Sequence, residues 1–255
     1  MKGGENMSND LIVNIAADTE DLDKGMDQIK QNLAIVSGSL IEFGNKMADV
    51  FKEIISNVLD TNSAFIKFQN QTGVTNKEMV ADSKAISDVY KNNFGESIES
   101  VSESMAILKQ QSTILKISST KDLQDMTESA LLLEDTFGYD VSESVRTAGN
   151  LVKNFGMDGQ EAFDLIAKAT QEGLNQSDDL MDTLYEYSPQ FAKIGLGAND
   201  MFNILKKGSE SGIFTLDKVG DAIKEFGIKV TDGSSTTSDT MKMINLDADK
   251  MAKAF

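Results

Sequence analysis

Paired carboxylates are the residues of this sequence whose types and spacing could do chemistry. Glu161 and Asp164 lie three positions apart and Asp182 and Glu186 lie four apart, so each pair falls on one face of a helix. Two such carboxyl groups could act as the acid and the base or nucleophile of a glycoside hydrolase. A chain with 41 acidic residues produces these pairs routinely on solvated surfaces. We therefore interpret both pairs as surface charges and predict that the chain is not an enzyme.

Other kinds of reactive site are excluded or disfavoured by composition. The chain has no His and no Cys, which removes Ser-His-Asp triads, thiolate nucleophiles and the usual zinc ligands. Asp178 and Asp179 follow Ser177, where negative charge complements the dipole of a helix start, and no EF-hand pattern surrounds them. Ser188 has no His partner or adjacent Lys, and Pro189 is expected to mark a kink or a new helix start. The sequence thus predicts no catalytic residue, no metal site and no cofactor.

Charge and hydropathy limit the surroundings in which the chain works. The net charge of −17 opposes the binding of a polyphosphate, so no nucleic acid is expected as a partner. Residues 1–10 are polar and lack the apolar segment of a signal peptide. The longest purely apolar runs, among them residues 130–133, have four residues and are far shorter than the roughly 20 residues of a membrane span. The absence of Cys fits synthesis in a reducing cytoplasm.

The elements that must position these residues are predicted to be helices. Strong helix formers are common, and Pro occurs once. Residues 1–18 form a polar arm in which an alternating pattern suggests one short extended segment. In residues 19–72 apolar side chains recur in steps of four and three, with one stutter before Val58. This row, the heptad stripe, consists of Leu22, Met26, Ile29, Leu33, Val36, Leu40, Phe43, Met47, Val50, Ile54, Val58, Phe65 and Phe68, with Thr61 at one polar position.

The heptad stripe predicts a long helix over residues 19–72. Its partner is either another helix of the same chain or a second copy, and the sequence favours neither. A continuous apolar strip is disfavoured by water at about 25 cal/mol per Å². We therefore predict that the chain self-associates or binds other proteins through the stripe.

Residues 73–255 are predicted to form a compact bundle of shorter helices that continues beyond the end of this chain. Two apolar rows at helical spacing support it, Leu180-Leu184-Tyr187-Phe191 and Leu216-Val219-Ile223-Phe226. Helix starts are predicted at Thr75 (with Glu78 in a capping box), Asp158, Ser177, Asn199 and Thr215. Helix ends are predicted at Gly95, Gly138, Gly156, Gly195 and Gly227. The predicted fold class is all-α, a long coiled-coil-like helix followed by a multi-helix bundle.

Several segments of this bundle resemble the phage tail tape measure family. They are Ala-Phe-Asp-Leu-Ile-Ala at 162–167, Gln-Glu-Gly-Leu-Asn at 171–175, Glu-Tyr-Ser-Pro-Gln-Phe at 186–191, Met-Phe-Asn-Ile-Leu at 201–205 and Asp-Lys-Val-Gly-Asp-Ala-Ile-Lys-Glu-Phe at 217–226. The segments occur in the family's order, and the similarity covers roughly residues 72–255. Family members usually run to many hundreds of residues, so the chain is expected to be a fragment.

The resemblance implies a scaffold around which tail-tube subunits polymerise, whose length sets tail length and which leaves the tube ahead of the DNA. It implies partners among further copies of the chain, the tail tube protein, tail assembly chaperones, and baseplate or tail-tip hub proteins. The expected locations are the bacterial host cytoplasm during assembly and the lumen of the tail tube in the virion. Phages, prophages and headless bacteriocins derived from tails share this component. Alternative functions are a helical module associated with a wall hydrolase and an unrelated coiled-coil adaptor or effector.

Overall fold

A computed structural model of the protein describes residues 58–212, 215–231 and 237–239. Within these ranges the regular structure is helical, and no strand occurs. The predicted all-α class is therefore confirmed for this part of the chain. The predicted arm of residues 1–18 and the heptad stripe from Leu22 to Ile54 lie outside the described residues. No helix in the described ranges combines the length and the apolar character needed to span a membrane.

Most of the described chain consists of helices of 13 to 18 residues joined by short turns. In chain order they are α1 (Val58–Thr72), α2 (Asn76–Lys91), α3 (Ile98–Gln110), α4 (Thr120–Phe137), α5 (Val141–Phe155), α6 (Gly159–Gln171), α7 (Leu180–Lys193), α8 (Ala198–Glu210) and α9 (Leu216–Thr231).

The chain divides into two compact units, residues 1–106 and 107–255. In the first unit, α1 packs against α2. The buried Ser102 hydroxyl of α3 donates a hydrogen bond to the Ala64 carbonyl of α1 at 3.1 Å. On the exposed side, Lys67 of α1 forms ion pairs with Glu99 and Glu103 of α3. Small residues at the crossing and paired charges at its edge hold α1 and α3 together.

In the second unit, α5 packs against α4, α6 and α7, and α7 also packs against α9. The last helices, α8 and α9, contact each other. The interior is filled by large apolar side chains with at most 1% exposure, among them Leu115, Leu123, Leu131, Leu133, Val145, Leu151, Phe163, Ile166, Phe191 and Leu205. Residues on every helix from α4 to α8 contribute to this core, as expected when each helix has one apolar face.

Three of the predicted helix starts are confirmed. The Thr75 hydroxyl accepts from the Glu78 N–H at 3.3 Å, and the Glu78 carboxylate accepts from the Thr75 N–H at 2.9 Å. Asp158 precedes α6, and its N–H donates to the Glu161 carboxylate at 3.1 Å. Thr215 immediately precedes α9. These starts follow from local patterns, which is why the sequence locates them.

The starts predicted at Ser177 and Asn199 are wrong. Helix α7 begins at Leu180, whose N–H donates to the Asn175 side chain at 3.1 Å. Helix α8 begins one residue before Asn199, because Gly197 is its cap and donates its N–H to the Asp200 carboxylate at 2.9 Å. In both places a polar side chain other than the expected one satisfies a free amide.

The predicted helix ends at Gly138, Gly156 and Gly195 are confirmed. Their φ values of 76°, 74° and 77° are left-handed, a conformation that glycine adopts at little cost. The prediction for Gly95 is wrong, because α2 ends at Lys91 and Asn93 is the first left-handed residue after it. Asn is the second-best residue for that conformation.

The prediction for Gly227 is also wrong, because this residue is buried inside α9. A Cβ atom there would lie 2.9 Å from the Ile194 side chain, so glycine serves close packing and not helix termination. The apolar row predicted for α9 is only partly buried. Leu216 and Val219 face the interior, but Phe226 is 44% exposed. The two glycines on the inward face, Gly220 and Gly227, shift the buried side of the helix away from Phe226.

Candidate interaction surface

Helices α5 and α7 form the most extensive helix contact in the described part of the second unit. The apolar row predicted for α7 is confirmed, since none of its residues is more than 2% exposed: Leu180, Leu184, Tyr187 and Phe191. Helix α5 buries small side chains such as Ser144 and Ala148, which permit close helix packing. This pair of helices supplies most of the candidate surface.

Pro189 lies inside α7, which is continuous from Leu180 to Lys193. Of the two alternatives expected at Pro189, a kink or a new helix start, the new helix start is therefore wrong. A proline has no N–H, so the carbonyl of Tyr185, four residues earlier, lacks its usual partner in the helix. The Asn150 side chain of α5 donates its amide hydrogen to this carbonyl. A neighbouring helix thus replaces the hydrogen bond that Pro189 removes.

Asn150 is itself held by a second asparagine one turn later. The Asn154 amide donates to the Asn150 backbone carbonyl at 2.7 Å and to its side-chain oxygen at 3.1 Å. The same amide lies 3.4 Å from the hydroxyl of Ser188, which is fully buried. The Asn150 oxygen is thereby occupied, and its NH₂ group is left to bond with Tyr185.

Arg146, one turn before Asn150, is the sole arginine among the 255 residues of the sequence. Its guanidinium lies over the Tyr185 ring, 4.5 Å from the ring centre, at the distance of a cation–π interaction. It also lies 3.8 Å from the carboxylate of Asp182, whose side chain is 80% exposed. An exposed pair at this distance contributes little to stability, and the guanidinium keeps free hydrogen-bond donors.

An open groove of about 470 Å³ runs beside Arg146. We call it the Arg146 groove. It is bordered by the last turn of α3, the segment that follows, α5, and Tyr185 of α7. Its lining residues are Ile107, Gln110, Gln111, Ile114, Ser142, Val145, Arg146, Gly149, Asn150, Lys153 and Tyr185. The lining contains two cations and no carboxylate. A lining with only positive charges stands out in a chain of net charge −17, and the nearest carboxylates, Asp182 and Glu143, lie beside Arg146 outside the lining.

The two carboxylate pairs considered as catalytic residues in the sequence do not line the Arg146 groove. Glu161 caps the start of α6, and Asp164 accepts a hydrogen bond from Gln160 at 3.0 Å. Asp182 faces Arg146, and Glu186 is exposed on α7. Within the described ranges no group of three or more acidic residues is arranged to hold a metal ion.

A second polar cluster joins α7 to α9. The Tyr187 hydroxyl lies 2.9 Å from the carboxylates of both Asp217 and Asp221, and its one hydrogen is shared between two acceptors. Burial raises the pKa of Tyr187, and the two carboxylates raise it further by favouring the protonated hydroxyl. Lys224 lies 3.7 Å from Asp221 and offsets part of the negative charge. The cluster ties α9 to the core.

The described end of the heptad stripe lies within the first unit. Val58 begins the described part of α1, and Thr61, Phe65 and Phe68 are at most 2% exposed. At this end the stripe is covered by the chain itself. The proposed contact with other copies through the rest of the stripe stays a prediction.

Sequence reasoning missed the Arg146 groove. Its lining residues come from three segments that are separated by some thirty positions each, so no local pattern connects them. The signal available in the sequence was that Arg146 is unique among 24 basic residues. The single proline at Pro189 was a second signal, because a proline within a helical pattern requires a donor from elsewhere.

Comparisons with known proteins place the sequence among phage tail proteins. A family model described as phage-related minor tail protein matches residues 88–255. Over 95 residues the chain is 33% identical to the "Probable tape measure protein" of Streptomyces phage phiC31, covering 37% of this chain and 13% of that protein. Over 120 residues it is 33% identical to the uncharacterized protein YqbO of Bacillus subtilis (strain 168), covering 47% of this chain and 7% of that one. The chain therefore spans a small part of these relatives. No solved structure is significantly similar to it.

The residues matched by the family model correspond to a defined part of the structure. It takes in helices α3 to α9 and every residue of the Arg146 groove. The matched segment is also more than half of the 255-residue chain. This chain belongs to the phage-related minor tail protein family.

Proposed function

We propose that this chain is part of a tape measure, a scaffold inside the tail tube that sets tail length and is released on ejection. The observation that carries the proposal is the 33% identity with a relative named as a probable tape measure protein, together with the family match. The all-helical structure of the described residues supports it, because helices give a fixed rise of about 1.5 Å per residue along an axis.

The partners and locations that follow from this role are part of the same proposal. They are the tail tube protein, tail assembly chaperones, baseplate or hub proteins and further copies of the chain. Assembly takes place in the host cytoplasm, and the mature location is the tube lumen. A surface of net charge −17 would be repelled by an acidic tube wall, which favours release.

Tail length is the measurement that tests the proposal. In-frame deletions of one and of four heptads within residues 22–56, made in the whole gene in its own phage or prophage, change the length of the predicted long helix. We expect tails in electron micrographs to shorten by roughly 1.5 Å for each deleted residue. Duplicating the same number of heptads is the matched control and should lengthen the tails. Intact tails of unchanged length in both series would rule out the ruler function.

We also propose that the chain has no enzymatic activity of its own. Glu161 serves as a helix cap and Asp182 faces an arginine, so each pair has one carboxylate that is already engaged in a structural contact. Purified chain is expected to leave peptidoglycan intact in a zymogram. Clearing that Glu161→Gln or Asp182→Asn abolishes would contradict this and favour the wall hydrolase.

A further inference from the structure

One wall of the Arg146 groove is held in place by a hydrogen bond between two helices. Its wall at Tyr185 is fixed by the Asn150 hydrogen bond to the Tyr185 carbonyl. At Gly149 the Ile114 side chain borders the groove and would lie 3.2 Å from an added Cβ atom. A wall that is already held in place, as at Tyr185, loses little conformational entropy when the groove is occupied.

The groove offers both apolar and charged contacts. Ile114 is 45% exposed and Tyr185 is 41% exposed, so two of the exposed large apolar side chains of the described residues border one groove. Beside them stand Arg146 and Lys153. Lys153 has no carboxylate within ion-pair distance among the described residues, and the pair of Arg146 with Asp182 is weak and exposed.

These features select among possible occupants. A guanidinium presents paired donors that match a carboxylate, which favours an acidic group beside Arg146. Ile114 and Tyr185 favour an apolar side chain next to that acidic group. A sugar-phosphate backbone does not supply one.

Two carboxylates act on Arg146, Asp182 at 3.8 Å and Glu143 one turn earlier on α5, whereas Lys153 has none within ion-pair distance among the described residues. More distant acidic residues act weakly, because the Debye length at physiological salt is about 8 Å. The local charges of the groove therefore decide what binds.

We propose that the Arg146 groove binds a short acidic peptide segment of a partner protein. The segment places an apolar side chain against Ile114 and carboxylates on Arg146 and Lys153. The surface goes beyond the tape measure role and does not depend on it, so a failure of the tail-length experiment leaves it standing.

The test is a selection from a random peptide display library on the full chain, at moderate salt. We expect the retained peptides to be enriched in Asp or Glu next to a large apolar residue. The best of them, resynthesised with a fluorescent label, should bind with a Kd that rises at least tenfold in the Arg146→Gln/Lys153→Gln variant and in Ile114→Ser. Its affinity should also fall as salt is raised.

A matched control removes two cations outside the groove. Lys168 lies over the Phe202 ring at 5.3 Å, and Lys121 pairs with Asp125, so Lys168→Gln/Lys121→Gln makes the same change in net charge elsewhere. This variant should bind the peptide with unchanged Kd. Helix content and thermal midpoint, measured by circular dichroism, establish that each variant is folded.

Each other outcome overturns the proposal. No retained peptides, peptides without acidic enrichment, or equal binding by the groove variant would show that the groove is not an acidic-peptide site. A dimer of the wild-type chain that the groove variant abolishes would assign the surface to a second copy. Peptide displacement by a short DNA duplex would assign it to phosphate groups.

Discussion

At the scale of single residues, the pairing of Pro189 with Asn150 compensates for a missing hydrogen bond across two helices. We expect Asn150→Ala to lower the free energy of unfolding by about 1 kcal/mol, because the Tyr185 carbonyl loses its donor. In a Pro189→Ala background, a backbone N–H is available to that carbonyl, and the same Asn150→Ala change should cost close to nothing. Urea unfolding of the four proteins of this double-mutant cycle measures the coupling.

A control separates this coupling from a general loss of packing. Asn154→Ala removes the residue that orients Asn150 but leaves the Asn150 amide itself in place. Its cost should be smaller than that of Asn150→Ala in the Pro189 protein. Equal costs of Asn150→Ala with and without Pro189 would show that the hydrogen bond does not stand in for the missing helix bond.

The pKa of Tyr187 gives the fold a dependence on alkaline pH. This pKa is raised in the folded chain above its ordinary value of about 10, so the folded state keeps the proton that the unfolded state releases. The resulting stabilisation is complete below pH 10 and is lost as pH rises above that value. We expect the free energy of unfolding to fall more steeply between about pH 9 and 11 in the wild type than in Tyr187→Phe.

The control for this titration is Tyr185→Phe, which removes a hydroxyl from an exposed ring on the same helix. The difference between variants carries the information, and the wild-type curve alone does not, because it also contains contributions from the rest of the chain. If the wild type, Tyr185→Phe and Tyr187→Phe lost stability in parallel, the Tyr187 hydroxyl would have no part in it.

At the scale of elements, glycines hold α9 against its neighbours. A Cβ atom at Gly220 would lie 2.3 Å from the Tyr187 ring, and one at Gly208 of α8 would lie 2.4 Å from Val219. Both contacts are far inside the normal separation of carbon atoms. Helix α9 can therefore pack closely against α7 and α8 because glycines occupy the contact points.

This packing reverses the usual effect of exchanging glycine for alanine in a helix. The exchange ordinarily stabilises a helix interior by about 1 kcal/mol. We expect Gly220→Ala instead to lower the free energy of unfolding by about 2 kcal/mol, because the methyl group meets a buried ring that cannot move aside. Thermal unfolding and limited proteolysis of α9 provide the measurement.

Gly149→Ala is the matched control in α5. The nearest atom to its Cβ would be a methyl of the partly exposed Ile114, at 3.2 Å, and this side chain has room to shift. Its effect on stability should be close to zero. A Gly220→Ala chain as stable as the wild type would mean that α9 does not pack on Tyr187 in this way.

The contrast between glycines shows how far elements are predictable from sequence. Gly138 and Gly156 end helices through their own backbone conformation, and a local pattern is enough to identify them. Gly227 has the same Phe-Gly neighbourhood, yet it lies inside α9 because Ile194 occupies the space beside it. Ile194 is more than thirty positions away, so this role is a tertiary property that no short window contains.

At the scale of the whole molecule, the heptad stripe remains the strongest prediction about assembly. Leu33→Lys/Leu40→Lys would place two charges in the stripe, and burying an unpaired charge is costly. We expect the oligomer size of the full chain, measured by light scattering, to fall in this variant. Lysines at Gln31 and Ala34, which lie off the stripe, give a control that should not change oligomer size.

The oligomer size of the wild-type chain also shows whether the prediction of self-association is wrong. If the wild-type chain is a monomer at high concentration, the stripe is covered within the chain, as Phe65 and Phe68 already are. The prediction of self-association would then be wrong, and the intramolecular hairpin left open by the sequence would be favoured.

The fold class and the candidate site differed in how well the sequence predicted them. Apolar periodicity such as Leu180, Leu184 and Tyr187 is repeated within one helix, so the all-helical fold was accessible. The Arg146 groove forms where Ile114, Arg146 and Tyr185 come together, and these residues belong to separate segments. Periodicity states which face of a helix is buried but not which other helix covers it.

A single arginine also makes the chain a one-site substrate for an arginine-specific endoprotease. Cleavage after Arg146 would give two fragments, residues 1–146 and 147–255. The bond lies in the middle of α5, and Thr147 on its far side is fully buried, so the intact helix does not fit an extended protease cleft. Where cleavage is slow relative to reclosing, its rate reports the equilibrium opening of α5. The rate of cleavage after Arg146 in the unmodified protein therefore measures the local stability of α5, which packs against three other helices of the second unit.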